Sequence, residues 1–414
     1  MNNITAVILS AGLGTRMRTR VPKVLHLVGS KTILRRIIDN LKASGITNIA
    51  AVVGYKAESI ERSFKSEIEL IRQDQLLGSG DALAQAINYI KDAELVLVTC
   101  GDAPLISADT FLRVIEKHIK EKAACTILTC NMPNPYSYGR IVREKTGTVI
   151  GIIEEKDATP EEKNIKEVNA GTYCFCVNGL KEFIKQIKIN EKKKEFYLTD
   201  IVDILAKNNK KISAETCNPE EVIGINSRKD LAEVNDIINK KTLNKLMDSG
   251  VTIISPESTY IDEDAIVGKD TIIFPNTVIE GDVEIAEECR IGPFARIRSG
   301  SRISFKVEIG NFVEICRTKI GEGTRVKHHA YLGDAVVGNN VNIGAGVITA
   351  NYDGEKKNIT IIDDNVFVGV GSIFIAPVKI GKNAKIGAGS VVTKNKDVPD
   401  GAVVMGVPAK PYNA

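Results

Sequence analysis

Two periodicities divide the chain. Up to about residue 226, short apolar runs alternate with stretches of helical period. ITAVIL (4–9), NIAAVVGY (48–55) and ELVLVTC (94–100) read as strands. TILRRIIDNLKASG (32–45) puts Ile33, Leu34, Ile37, Ile38 and Leu41 on one face and predicts a helix ending at Gly45. Another helix follows DAPL, with Ser107 as its cap. This alternation predicts an α/β domain with a largely parallel sheet, whose ligands gather at the carboxyl ends of the strands. Gly12 and Asp102 fall at two such ends. From Ser227 to about Met247, Leu231, Val234, Ile238, Leu243 and Leu246 predict one long helix, capped by Ser227, stopping at Gly250 and joining two domains.

Then the period becomes six. Ile261, Val267, Ile273, Ile279, Ile285, Ile291, Ile297, Ile303, Ile309 and Ile315 recur at that interval, and compact residues often stand four places later: Ala265, Thr271, Thr277, Val283, Cys289, Ala295. The repeat slips near 320 and 337, is interrupted at 350–361, and resumes at Ile362, Val368, Phe374, Ile380 and Ile386. A six-residue aliphatic repeat predicts a parallel β-helix whose sides each bury one aliphatic residue in a narrow core. Interruptions in such a repeat are loops on one face, where binding gathers. The expected division is residues 1–226 as one domain, 227–250 as a linker helix and 251–414 as the β-helix.

At 414 residues the chain is long enough for such domains, and its formal net charge of +3 gives no nucleic-acid footprint. No long apolar span is present, so no membrane span is expected. Eight cysteines lack paired CxxC spacing, which argues against a disulfide framework or a zinc site and for a cytoplasmic protein.

LSAGLGTRMRTRVPK (9–23) raises a chemical question. No GK[ST] follows the glycines, and Met17 stands where a dinucleotide fingerprint needs its third glycine. Backbone N–H groups of a glycine turn can still face phosphate oxygens. Arg16 and Lys23 add charge that a simple turn does not need.

LSAGLGTRM…VPKVLH resembles the signature of sugar-1-phosphate nucleotidyltransferases, and QDQLLGSGDA, CGDAPL, YGRIV, IIEEKDA, NAGTY, FYLTDI and GIN follow in that family's order. With NFVEI, YLGDA, NIGAG and NYDG in the repeat region, the chain is similar over nearly its whole length to the bifunctional N-acetylglucosamine-1-phosphate uridylyltransferases/glucosamine-1-phosphate N-acetyltransferases. The resemblance implies a Rossmann-like nucleotidyltransferase domain joined by a helix to a left-handed β-helix. It implies small-molecule substrates, UTP and acetyl-CoA among them, and a homotrimer assembled through the β-helix with acetyl-CoA sites shared between chains.

For nucleotidyl transfer the resemblance implies Mg²⁺ held by Asp102 and Asn226, with Arg16 and Lys23 as the catalytic cations on the triphosphate. Leu9, Ser10, Ala11 and Gly12 would line the nucleotide beside Gly101, and Gln73, Gly78 and Ser79 would read the uracil edge. Gly139, Glu154, Asn169 and Thr199 would line the sugar. Two departures are visible: Leu13 replaces a common lysine, and Asp81 stands where a histidine is common.

For acetyl transfer, His328 of the four histidines aligns with the family's catalytic base, a role that suits imidazole. Glu314 is a candidate to orient it. Arg298, Tyr331, Asn342, Asn351, Tyr352 and Lys357 match amino-sugar phosphate positions, and Ala345, Val370 and Ala388 match acetyl-CoA positions. Here the departures cut deeper. Cys316 replaces a phosphate-binding lysine, and Arg317 beside it is expected to face the opposite way, as successive strand residues do. Val370 replaces a serine, and the tail GVPAK lacks an arginine usual in the family. Two alternatives therefore stand: a nucleotidyltransferase whose β-helix only assembles subunits, or an enzyme using another base or sugar, such as dTTP with a hexose phosphate.

Overall fold

A computed structural model describes residues 3–191 and 194–412. The chain forms two compact units, Met1–Asn235 and Asp236–Ala414.

The principal elements of the first unit are β1 (Ile4–Leu9), α1 (Ile33–Ala43), β2 (Asn48–Val53), α2 (Ala57–Phe64), β3 (Glu69–Arg72), α3 (Ser79–Gln85), β4 (Leu95–Cys100) and α4 (Ala108–Glu121). They continue with β5 (Cys125–Asn131), β6 (Arg140–Arg143), β7 (Val149–Ile153), β8 (Glu167–Cys176), α5 (Asp200–Lys207) and β9 (Ile212–Thr216), and α6 (Arg228–Asp248) begins in this unit and ends in the second. A nine-stranded sheet runs β9-β5-β8-β4-β1-β2-β3, with β6 paired to β8 and β7 paired to β6. Its pairings are parallel from β4 through β1 and β2 to β3 and between β5 and β9, whereas β8 runs antiparallel to β4, β5 and β6, and β6 antiparallel to β7. The helices form where the apolar spacing placed them. Thr32 caps α1 by accepting from the Arg35 amide, and all five predicted face residues are buried. Ser107 caps α4 by accepting from the Thr110 amide. Each terminal N–H so satisfied would otherwise lack a partner.

In the second unit every residue of the first hexad series is buried, Ile261 through Ile315, as are the compact residues four places later. Each inward Ile contributes about 1.5–3 kcal/mol by leaving water. Three ladders of short parallel strands make three sides. The register advances 18 residues per coil early on (Ile273↔Ile291), 17 at each slip (Ile309↔Val326, Val326↔Ile343) and 25 across the insertion (Ile343↔Val368). The slips and the insertion change coil length without moving the aliphatic residue out of the core. Leu243 and Leu246, at the end of α6, join this core. All eight cysteines are free thiols. No described helix is long and apolar enough to cross a membrane.

Candidate active sites

At the carboxyl end of β1 the chain enters the glycine loop. Gly14 has φ +60°, a conformation that disfavours any side chain, and a Cβ there would stand 3.0 Å from Lys23 Cβ. The loop thus closes directly on Lys23. Alanine at 14 is expected to displace Lys23 and raise the KM for the nucleotide roughly 10–100-fold, read from pyrophosphate release. Gly101, at the end of β4, lies so close to β1 that a Cβ would meet the Leu9 carbonyl oxygen at 2.9 Å. It brings the two strand ends together.

The Lys23 ammonium donates to Asp102 Oδ2 at 2.7 Å and to Asn226 Oδ1 at 3.1 Å. Asn226 arrives there because the Ile225 amide donates to the Asp102 carbonyl at 2.8 Å, and because Asp230 Oδ2 accepts from the Asn226 and Ser227 amides. Two oxygens from residues far apart in sequence therefore converge on one cation. Among the described residues no group of three or more His, Cys, Asp or Glu could hold a metal ion. One carboxylate and one amide oxygen are what a hard divalent ion takes when phosphates and water supply the rest.

Two clefts meet at this centre and share Cys100 and Asp102. The first, of about 470 Å³, is lined by Leu9, Ser10, Ala11, Gly12, Lys23, Gln73, Gly78, Ser79, Gly101 and Asp102, the complete set expected around the nucleotide. The second contains Arg16, Gly139, Glu154, Asn169 and Asn226. Thr199 stands behind it, its hydroxyl donating to Glu154 Oε1 at 3.0 Å. Burial raises the Glu154 pKa and the Thr199 bond opposes that shift. Asn169 is tied to the protein: its Nδ2 donates to the Tyr173 hydroxyl at 2.7 Å and its Oδ1 accepts from the Gly171 amide. Burial, with the Asp102 carboxylate adding, pushes the Cys100 thiol up to about 12, so it stays protonated between the clefts. Tyr55 also lines the first cleft and was missed. The signal was available, because NIAAVVGY ends a strand beside β1 at the same edge of the sheet.

In the β-helix, two strands run unbroken around a corner, Glu308–Cys316 and Arg325–Gly333. Their register stacks Asn311 on His328, and the Asn311 Oδ1 lies 3.2 Å from His328 Nδ1. With Nδ1 carrying the hydrogen, Nε2 keeps its lone pair. Glu314 was the sequence's candidate to orient this histidine, but it accepts from Arg298 Nη1 at 3.0 Å and pairs in register with Tyr331. Asn311 takes that place. Ala345, Val370 and Ala388 each lie two residues beyond the paired Ile343, Val368 and Ile386, as His328 lies two beyond Val326. All four therefore form one column. Adjacent coils are bonded there, the Gly371 amide to the Ala345 carbonyl and the Gly389 amide to the Val370 carbonyl, both at 2.7 Å.

The acceptor candidates gather on the following side. Arg298, Cys316 and Gly333 are vertical neighbours. Gly333 leaves room for what lies above it: a Cβ would meet the Tyr331 hydroxyl at 2.4 Å and Asn351 Nδ2 at 2.8 Å. The expectation that Arg317 turns away from Cys316 is corrected. The strand ends at Cys316, and Arg317 has φ +49°, so strand alternation no longer applies. Its guanidinium returns to the Cys316 sulfur at 2.9 Å and binds Asp334 bidentately at 2.6 and 2.7 Å. Asn351 also donates to Asp334, and the Arg317 guanidinium, with the Asn351 bond and the Lys357 charge adding, holds that carboxylate below its usual range. Tyr352 is exposed in the inserted loop and bridged to Lys357. Asn342 stands apart, on the side that carries Arg325 and Phe367.

Of the other histidines, His26 is buried against Arg228, and burial pushes His118 down to about 4, keeping it neutral in the core.

The architecture is that of a nucleotidyltransferase unit followed by a hexapeptide-repeat unit. Residues 5–220 match the nucleotidyl transferase family, residues 264–299 the bacterial transferase hexapeptide family, and residues 359–394 the hexapeptide repeat of succinyl-transferase. The bifunctional protein GlmU of Carboxydothermus hydrogenoformans is 42% identical, with 96% of each chain covered. The GlmU of Acetivibrio thermocellus is 41% identical over 97% of this chain and 94% of its own. That of Clostridioides difficile is 38% identical over 97% and 95%. The chain belongs to the family of bifunctional GlmU proteins.

Proposed function

We propose that the chain makes UDP-N-acetylglucosamine in two steps at two separate sites. Acetyl transfer from acetyl-CoA to glucosamine-1-phosphate occurs on the β-helix. Uridylyl transfer from UTP to N-acetylglucosamine-1-phosphate, with release of pyrophosphate, occurs in the first unit. The observation that carries this reading is the convergence of Lys23, Asp102 and Asn226 where two differently lined clefts meet.

In uridylyl transfer two anions must approach, so the work is positioning and charge neutralisation. Lys23 and Arg16, one from each cleft, bring cationic charge to the triphosphate and the incoming sugar phosphate. Asp102 and Asn226 would hold a divalent ion, Mg²⁺ in this reading, which supplies further positive charge against the phosphates. Glu154, fixed by Thr199, accepts hydrogen bonds from sugar hydroxyl or amide groups.

On the β-helix, His328 Nε2 removes a proton from the acceptor amine as it attacks the thioester carbonyl, and returns it to the coenzyme A sulfur as the C–S bond breaks, while Asn311 holds the ring. The Ala345–Val370–Ala388 column offers small residues and backbone for the coenzyme. Arg317 brings a guanidinium to Cys316 where a lysine would have stood, its charge shared with Asp334, and with Arg298 and Lys357 it receives the sugar phosphate. Arg317→Ala is expected to raise the KM for glucosamine-1-phosphate roughly tenfold or more and to leave uridylyl transfer unchanged. Thiol release measured against acceptor concentration checks this.

The proposed assembly is a homotrimer in the cytoplasm. The exposed, stacked pair Phe294–Phe312 on one corner of the β-helix favours burial against another chain. Light scattering giving a monomer would contradict it. The test of the catalytic reading is a panel of UTP, dTTP and CTP against sugar phosphates, followed by pyrophosphate release, alongside thiol release from acetyl-CoA. Activity with dTTP and glucose-1-phosphate alone would replace this reading with the other nucleotidyltransferase.

A further inference from the structure

Gln73 follows β3 and lines the first cleft, yet only 4% of it is exposed. A carboxamide has two N–H donors and one oxygen acceptor. Both donors are engaged: Nε2 donates to the Gly78 carbonyl at 3.0 Å and to Asp81 Oδ2 at 2.6 Å. These partners can only accept. Turning the amide over would set Oε1 against two acceptor oxygens, giving up two bonds for two repulsions. Asp81 is itself held, because its Oδ1 accepts from Gln85 Nε2 at 3.1 Å one turn along α3. No protein donor reaches Gln73 Oε1 among the described residues. A buried amide with one polar group left over presents that group to whatever fills the cleft.

We propose that Asp81 is a positioning residue that locks the Gln73 amide, so that the nucleotide cleft offers a hydrogen-bond acceptor to the base edge. The inference rests on the reading of this cleft as the nucleotide site. An acceptor selects a base with an N–H at that edge. Uracil has one at N3, and cytosine has a lone pair there. Facing Oε1, cytosine would leave two acceptors opposed, and an unpaired buried polar group is what makes such a site discriminate. Without the carboxylate, Gly78 alone holds the amide, and the turned-over form, which suits cytosine, becomes accessible.

The experiment measures kcat/KM for UTP and for CTP with saturating N-acetylglucosamine-1-phosphate, by pyrophosphate release, in the parent chain, Asp81→Ala and Asp81→Asn. Alanine is expected to lower the UTP:CTP ratio roughly tenfold or more, acting through the KM for UTP. Asparagine keeps an oxygen toward Gln73 and can donate to Gln85, so its ratio stays within roughly threefold of the parent. A merely structural role would lower kcat and KM performance for both nucleotides alike and leave the ratio intact. An unchanged ratio in Asp81→Ala, or equal loss in both variants, overturns the role of Asp81 while leaving the cleft's assignment standing. A parent chain that does not prefer UTP to CTP overturns the assignment and the inference with it.

Discussion

Replacing Asp102 by alanine lowers uridylyl transfer by roughly 10³-fold or more, because it removes the carboxylate that both clefts share, at the point where two polyanions meet. The loss falls mainly on kcat. Asp102 orders the Lys23 ammonium at 2.7 Å and, through its backbone carbonyl, anchors the segment that carries Asn226. Alanine keeps that backbone anchor, so the segment holds its place while the charge is gone. Asparagine at 102 is the sharper variant: it keeps shape and one oxygen and removes only the negative charge. An asparagine variant within a few-fold of the parent would show that Asp102 serves the fold rather than the reaction. Acetyl transfer, measured in the same preparations, is unaffected.

The second large effect belongs to His328. Alanine there lowers acetyl transfer by roughly 10²–10⁴-fold, the usual contribution of a positioned general base. Uridylyl transfer is retained. Asn311→Ala leaves the imidazole in place without its Nδ1 partner, so a smaller loss follows, and it falls on acetyl transfer alone. Equal and complete loss in both variants would point instead to a collapsed corner, which circular dichroism and a melting curve would reveal. Rescue of His328→Ala by added imidazole would support the proton-transfer role directly.

How far the sequence could be read depended on which spacing carried the signal. The hexad series was legible because each coil side must bury one aliphatic residue, and the β-helix core confirms Ile261 to Ile315 residue by residue. Helix α1 was legible because its apolar face, its Thr32 cap and Gly45 agree. The antiparallel direction of β8 was not legible: EVNAGTYCFC has strand character, but alternation says nothing about direction. Asn311 was hidden by the slips. Its vertical neighbour is 17 residues away rather than 18, and that distance is known only once the shortened coil is located. Arg317 was misread because strand alternation was carried one residue past the strand's end, where a left-handed backbone turns the side chain back. The nucleotide and sugar residues, by contrast, came from long ordered motifs, and the two clefts take them up nearly as separate sets.

In the proposed function this protein carries both activities despite Cys316. The most direct measurement is free-thiol release when the purified chain, His328→Ala and Asp102→Ala are each mixed with glucosamine-1-phosphate and acetyl-CoA. Thiol released by the parent and by Asp102→Ala, and lost in His328→Ala, is the predicted result. No release by the parent, while UTP and N-acetylglucosamine-1-phosphate still yield pyrophosphate, would contradict it and leave one enzyme mounted on a scaffold.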